Sequence, residues 1–317
     1  MEVYTFPRHL IKYYMKSKLK EIKNIYIQLG ICIIILIIGG ILINNLTINL
    51  SRTGLGFTFN WIFKTSGFEI AEHLIPYTSS DNYAWAILNG WLNSLRVIFL
   101  SLFFSTILGI LIGLISINRN PIYRLLSSSY ITIIRQTPLL IQLMLWYFVG
   151  FLGLKNDALV NIENILKISN KGIEILNMEF SSEFSALLLG LSVFTSAYIA
   201  EIFRGGIKSV SQGQWEAFRS LGISERKGLL SVIIPQALPA IIPGLTSQYL
   251  NLAKNSTLAI AIGYSDIYAI NDTIINQTGR AIECFIILMF SFLLVNLIIS
   301  NIMEFINKLF ITPKRII

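Results

Sequence analysis

The sequence predicts an all-α integral membrane protein with about six transmembrane helices and both termini on the cytoplasmic side. Of its 317 residues, 54% are hydrophobic and 13% charged, about half the charged share of an ordinary soluble chain. Apolar runs near the ~20 residues that cross a bilayer recur at about 25–43, 97–117, 131–154, 184–203, 238–262 and 281–306. With the N-terminus inside, sixteen lysines and arginines fall in inner segments and six in outer ones, which sets the orientation.

Each run reads as a helix, because a chain in lipid must satisfy its own backbone and no alternating barrel pattern is present. The first follows a basic stretch (Lys12, Lys16, Lys18, Lys20, Lys23) like the start of a secretory signal, but INNLTINLSR after it offers no small-x-small cleavage site. Residues 1–46 are therefore expected to be a basic tail and a retained anchor helix. The outer segment that follows carries Glu69, Glu72 and Asp81, expected to form a solvated face. In the third run, Arg135 precedes Pro138 and is expected to cap carbonyls that the proline frees. Residues 155–183 mix Lys, Asn and Glu with isoleucine, and short helices are expected there. Near the end of the fourth run, Glu201 and Arg204 stand three apart, the spacing of a helix-surface ion pair; a gate or docking role is the other reading.

Between the fourth and fifth runs lies QWEAFRSLGISERKGLLSVIIPQALP, residues 214–239, polar and charged among apolar neighbours. Trp215, Phe218 and Leu221 recur every third residue, Gly222 can adopt backbone angles other residues resist, and Ser224 can cap a second short segment. Pro235 and Pro239 mark the entry to the next membrane helix. Such a helix pair either docks into a partner's groove or lies on lipid headgroups.

Other classes find little support. Cys32 and Cys284 fall within apolar runs, which suggests neither disulfide nor zinc chemistry. His9 and His73 are the only histidines and lie outside the runs, so histidine-built metal sites and nucleophiles at membrane depth are not expected. The net charge of +8 is a topology signal facing anionic lipid, and nucleic-acid binding is not needed to explain it. No period of 20–50 residues suggests a repeat architecture.

Glu216-Ala217, then Gly222 six residues after the glutamate, then Val232 and Ile234-Pro235, resemble the EAA loop of ATP-binding-cassette (ABC) importer permeases. Phe218 departs from that pattern, which has a second alanine there. Asn93-Ser94-Leu95, Arg135-Gln136-Thr137-Pro138-Leu139-Leu140, the run from Ala197 to Ile207 and Lys254-Asn255-Ser256-Thr257-Leu258 are similar to motifs of the polar amino-acid branch, in its order. The upstream stretches GLGFTFNWIFKTSGFEI and LIPYTSSDNYAWAILNG resemble the longer permeases of general L-amino-acid importers.

The resemblance implies a type I importer core of five helices plus one N-terminal helix in a bacterial inner membrane. The divisions are then a periplasmic segment at 47–86, a transmembrane domain at 87–312 with its EAA loop at 208–236 and a periplasmic insert at 155–183, and a cytoplasmic tail at 313–317. It implies two ABC ATPase subunits, a second and unlike permease subunit, and a periplasmic amino-acid-binding protein as partners. The chain has no G-x-x-x-x-G-K-[ST] loop; it is expected to be non-catalytic and to bind no cofactor, with ATP and Mg used by the separate ATPase. Glu216, Ala217, Phe218, Gly222, Arg226 and Pro235 are its expected coupling residues, with Glu216 alternatively an ordinary helix N-terminal acid. Lys254, Asn251, Asn255 and Thr257 form a polar stripe in the fifth run and, with Glu201, an expected substrate path. A charge within a span costs about 2.5–3.5 kcal/mol or more, so Lys254 should face the bundle interior, meeting substrate or pairing with Asp266 or a partner subunit. A stand-alone secondary transporter would show paired inverted repeats or many buried ionisable residues, and an intramembrane enzyme a nucleophile and base at depth; neither pattern is visible.

Overall fold

Long apolar stretches that can satisfy their own backbone form most of the chain's helices. The computed structural model describes residues 8–52, 54, 56–154, 160–162 and 165–311, with side chains from Lys23 to Phe310 in those stretches. The expected tail at 313–317 and Lys155 lie outside the described residues. The chain divides into two units, Met1–Thr58 and Phe59–Ile317.

The first unit is essentially one helix, α1 (Arg8–Arg52), whose apolar part spans Lys23–Arg52. It continues well past the expected end at 43. Thr47 and Ser51 donate to the carbonyls of Asn44 and Ile48 at 2.8 and 2.7 Å, so their hydroxyls are satisfied without interrupting the helix.

In the second unit, α2 (Tyr83–Ser116) starts well before the expected 97. Asn82 caps it, its side-chain oxygen accepting from the Trp85 N–H at 2.9 Å. Small buried residues, Ser101, Ser105, Gly109 and Gly113, follow one another on α2, and the two glycines lie against α5 (Ser182–Lys208). A Cβ at Gly109 would stand 2.5 Å from the Ile199 side chain, so these backbones can approach only because these residues are small.

The expected single span at 131–154 is broken. α3 (Pro121–Gln136) ends at Thr137, held extended by the following proline, and α4 (Leu139–Met144) continues as a π-helical turn, Leu145–Phe151. The freed carbonyls are met by Gln142, whose Nε2 donates to Ile134 O at 2.9 Å and Thr137 O at 3.1 Å. Arg135 does not take that role; its guanidinium lies 5.0 Å over the Tyr198 ring.

The insert forms strands rather than the expected helices. β1 (Val160–Ile162), β2 (Leu166–Ser169), β3 (Gly172–Ile175) and β4 (Met178–Ser181) form an antiparallel meander. Leu176 and Asn177 join β3 to β4 at positive φ, as a two-residue hairpin turn demands.

After α5 come α6 (Gln212–Ser220) and the one-turn α7 (Glu225–Gly228). A π-helical turn, Leu229–Ile233, joins α7 to α8 (Ile234–Asn255), and a 3₁₀ turn, Ser256–Ile262, follows. Pro235 stands in the first turn of α8, as expected of an entry, whereas Pro239, expected there too, lies with Pro243 inside the helix. α9 (Ile267–Thr278), which the apolar pattern did not suggest, is capped by Asp266 and leads to α10 (Ala281–Ile311).

Among the described residues, five helices are long and apolar enough to span a membrane. The main core joins α2, α4, α5, α8 and α10 through Ile98, Leu143, Leu187, Leu252 and Val295. The segment before α2 folds onto α9 through Trp61, Ile70, Tyr77 and Ile274. Glu72 is not on a solvated face as expected: it pairs with Arg96 at 2.6 Å and accepts from the Ser181 hydroxyl. Arg96 in turn lies 4.2 Å over the Phe184 ring. Glu69 is exposed, and Asp81 accepts from the Thr78 N–H at 2.8 Å.

Candidate functional site: a coupling hairpin and a cationic pocket

The polar stretch between α5 and α8 folds into a closed hairpin. α6 ends as Gly222, at φ +69°, donates to Arg219 O at 3.0 Å and Ile223 donates to Phe218 O at 3.1 Å. This pair of bonds closes the helix and requires a left-handed residue at the glycine position. Phe218 and Ile223 both join the small core with Phe203, Ile207 and Ile233.

Phe218 is 1% exposed, and its ring lies directly over Gly228, where a Cβ would stand 2.3 Å from it. The departure from the EAA pattern is therefore matched by a missing side chain on the facing turn. Trp215 is only half-buried and Leu221 is 77% exposed, so the three residues do not share one buried face as the spacing suggested. Ser224 stands at the N-cap of α7 without a side-chain capping bond. Glu225, not singled out from the sequence, accepts from Arg219 Nε at 2.9 Å and pairs with Arg119, tying the turn between α2 and α3 to the hairpin.

The outward surface of the hairpin consists of Gly213, Glu216, Ala217, Leu221 and Arg226, all exposed. The carboxylate of Glu216 has no partner among the described residues; its backbone carbonyl accepts from Ser220 Oγ at 2.9 Å. Pro235 lies at the start of α8.

Beside the hairpin, α3, α5 and α6 enclose a pocket of about 1000 Å³. Arg124, Arg135, Arg204, Lys208 and Arg219 line it against a single carboxylate, Glu201. Glu201 and Arg204 form the expected ion pair, with Arg204 Nε 3.0 Å from Glu201 Oε2. The pocket could have been read from spacing: Arg124, Ser128, Thr132 and Arg135 recur on one face of α3.

The stripe on α8 lies elsewhere. Lys254 and Asn251 are exposed, Asn255 and Thr257 half-buried, and none of them lines the pocket with Glu201. The expected substrate-path residues are thus split between two places. Lys254 makes no ion pair among the described residues, and Asp266 is buried, accepting from the Ala269 N–H at 2.8 Å to cap α9. The pairing of Lys254 with Asp266 is not formed.

Residues 105–311, which include the hairpin, the pocket and this stripe, match the family of binding-protein-dependent transport system inner membrane components. The chain belongs to this family. It is 33% identical to YhdX of Escherichia coli strain K12, provisionally named an amino-acid ABC transporter permease protein, over 85% of this chain and 89% of that one. It is 30% identical to the general L-amino acid transport system permease protein AapQ of Rhizobium johnstonii, over 96% of each chain. Among solved structures, a crystal structure of an amino acid ABC transporter with histidines aligns with a TM-score of 0.57 at 31% identity, covering 71% of this chain and 94% of that one.

Proposed function

We propose that the chain is a permease subunit of an ABC importer that moves amino acids across a bacterial inner membrane by alternating access. The observation that carries this is the closed hairpin α6–α7, which presents Glu216, Ala217, Leu221 and Arg226 to an ATPase while Phe218 anchors it to the bundle. The names of YhdX and AapQ support amino acids as the cargo. ATP and Mg belong to the separate ATPase, and this chain binds no cofactor. A periplasmic binding protein delivers the amino acid, and a second permease subunit, unlike this one, completes the path.

Coupling follows from continuity. Helical structure continues from the hairpin through a π-helical turn into α8, so a push on the hairpin is transmitted to α8, and the shared core carries the displacement to Phe203 and Ile207 of α5. Interfaces packed in this way switch between discrete arrangements rather than bending gradually.

The test is uptake of a labelled amino-acid panel by cells expressing this chain with its neighbouring genes. No atom lies within 4 Å of a Cβ built at Gly222, so Gly222→Arg meets only the backbone penalty of the left-handed region, about 1–2 kcal/mol, and places a bulky cation beside the docking surface. Expected is ATP-dependent uptake that the variant loses while still inserting in the membrane. Uptake that needs no ATPase, or that survives the variant unchanged, overturns the reading.

A further inference from the structure

We propose that the pocket between α3, α5 and α6 is an anion-selective vestibule that takes the carboxylates of the transported amino acid and favours acidic over basic amino acids. The inference rests on the importer reading and adds the charge class of the cargo that this chain itself selects.

The charge balance is the first ground. Five cationic side chains line the pocket against one carboxylate. Arg204 is committed to Glu201, and Arg219 to Glu225 outside the lining. Arg124, Arg135 and Lys208 form no close ion pair among the described residues; Arg135 and Lys208 share the field of Glu201 with Arg204, and Arg135 stacks on the face of Tyr198. A concave site of one charge sign concentrates ligands of the other, on the order of tenfold or more. A guanidinium held on an aromatic face presents its N–H fork to a carboxylate.

The second ground is where the pocket faces. Arg124, Ser128, Thr132 and Arg135 of α3 line it, whereas Ile122, Leu126 and Ile133 are exposed on another face of the same helix. Tyr130 fixes the helix between these faces, its hydroxyl 2.8 Å from Ser196 Oγ of α5. The apolar stripe suits lipid, and the polar one therefore faces away from it. Gln136 and Gln212 add amide groups, so the lining offers hydrogen bonds to a small hydrophilic solute.

The test uses the complex of the permease pair and ATPase without the binding protein, so that the binding protein's selectivity does not intervene. Lys208 is exposed at the pocket rim. Its rate of modification by an amine-acylating reagent is read by peptide mass spectrometry relative to Lys167 of β2, which is remote in the fold and corrects for reagent consumed by added amino acid. Expected is slowing of Lys208 by glutamate several-fold more than by glutamine, with arginine without effect. Arg135→Gln should abolish the protection and Arg135→Lys should restore most of it. Equal protection by glutamate and arginine overturns the proposal, as does protection that survives Arg135→Gln. Protection by phosphatidylglycerol nanodiscs but not by glutamate makes the pocket a lipid headgroup site, and a Lys208 that is unreactive in the complex makes it a buried subunit contact; either result also overturns it. Uptake by the whole importer separates the two readings: ATP-driven uptake without charge-selective protection sinks the vestibule alone, whereas no ATP-driven uptake of any amino acid sinks the importer reading beneath it.

Discussion

Phe218→Ala would remove a ring that is 1% exposed and packed between Trp215, Ile223 and Gly228 in the hairpin. Large-to-small substitutions of a buried phenylalanine cost about 3–5 kcal/mol. The lower end applies, because Trp215 is half-buried and can relax into part of the space. About 3 kcal/mol raises the open population of the hairpin by roughly a hundredfold. Hydrogen exchange reads this directly: the amides of Gly222, Ile223 and Gly228, bonded across the turns, should exchange roughly a hundredfold faster, while those in the middle of α8 are unchanged. Co-purification of the ATPase should fall with it. Gly228→Ala alone should destabilise the hairpin, since its Cβ would stand 2.3 Å from the ring. The double variant should be less damaged than the two single effects added together, because each substitution relieves what the other creates. Unchanged exchange in Phe218→Ala, or strict additivity in the double variant, would refute the assignment of Phe218 as the anchor.

Two further outcomes concern the opposite end of the bundle. Glu72→Gln breaks the pair with Arg96; as both side chains are largely buried, the loss should be about 2 kcal/mol, between exposed and fully buried pairs. It should appear as a lower melting temperature and faster proteolysis of 59–82, and an unchanged digestion pattern would count against the latch. Burial pushes the Asp266 carboxyl from its ordinary 3.8 up to about 7. The folded chain then holds a proton that the unfolded chain has released, so this stability is complete below pH ~4 and is lost as pH rises through ~7. Asp266→Asn retains an oxygen to cap α9 and removes the titration, so its melting temperature should change less than the native protein's between pH 5 and 8. Parallel pH profiles for the two would refute the buried-acid assignment.

How much was legible depended on whether a feature was local. The apolar runs, the Gly222 turn, the Glu201–Arg204 pair and the helix entry at Pro235–Pro239 were all read from neighbours along the chain; the run at 131–154 was misread as one span, and of the two prolines Pro235 stands at the start of α8 while Pro239 lies inside it. Glu216, Ala217, Gly222 and Arg226 were grouped by their resemblance to the EAA loop, and all four are exposed on the hairpin, whose turn rests on the left-handed Gly222. Arg135 was placed on the wrong partner because the carbonyls it was expected to cap are reached by Gln142 from the next turn.

By itself the sequence determined that the chain crosses a membrane as helices, and where its polar hairpin falls, because hydrocarbon length and glycine geometry act on consecutive residues. Only the tertiary structure decided that Phe218 meets Gly228, that Glu72 is latched to Arg96, that the insert is a sheet, and that Arg124, Arg135 and Lys208 converge on one pocket. Those pairings join residues from separate elements, and their partners are set by how helices pack rather than by what stands beside them in the chain.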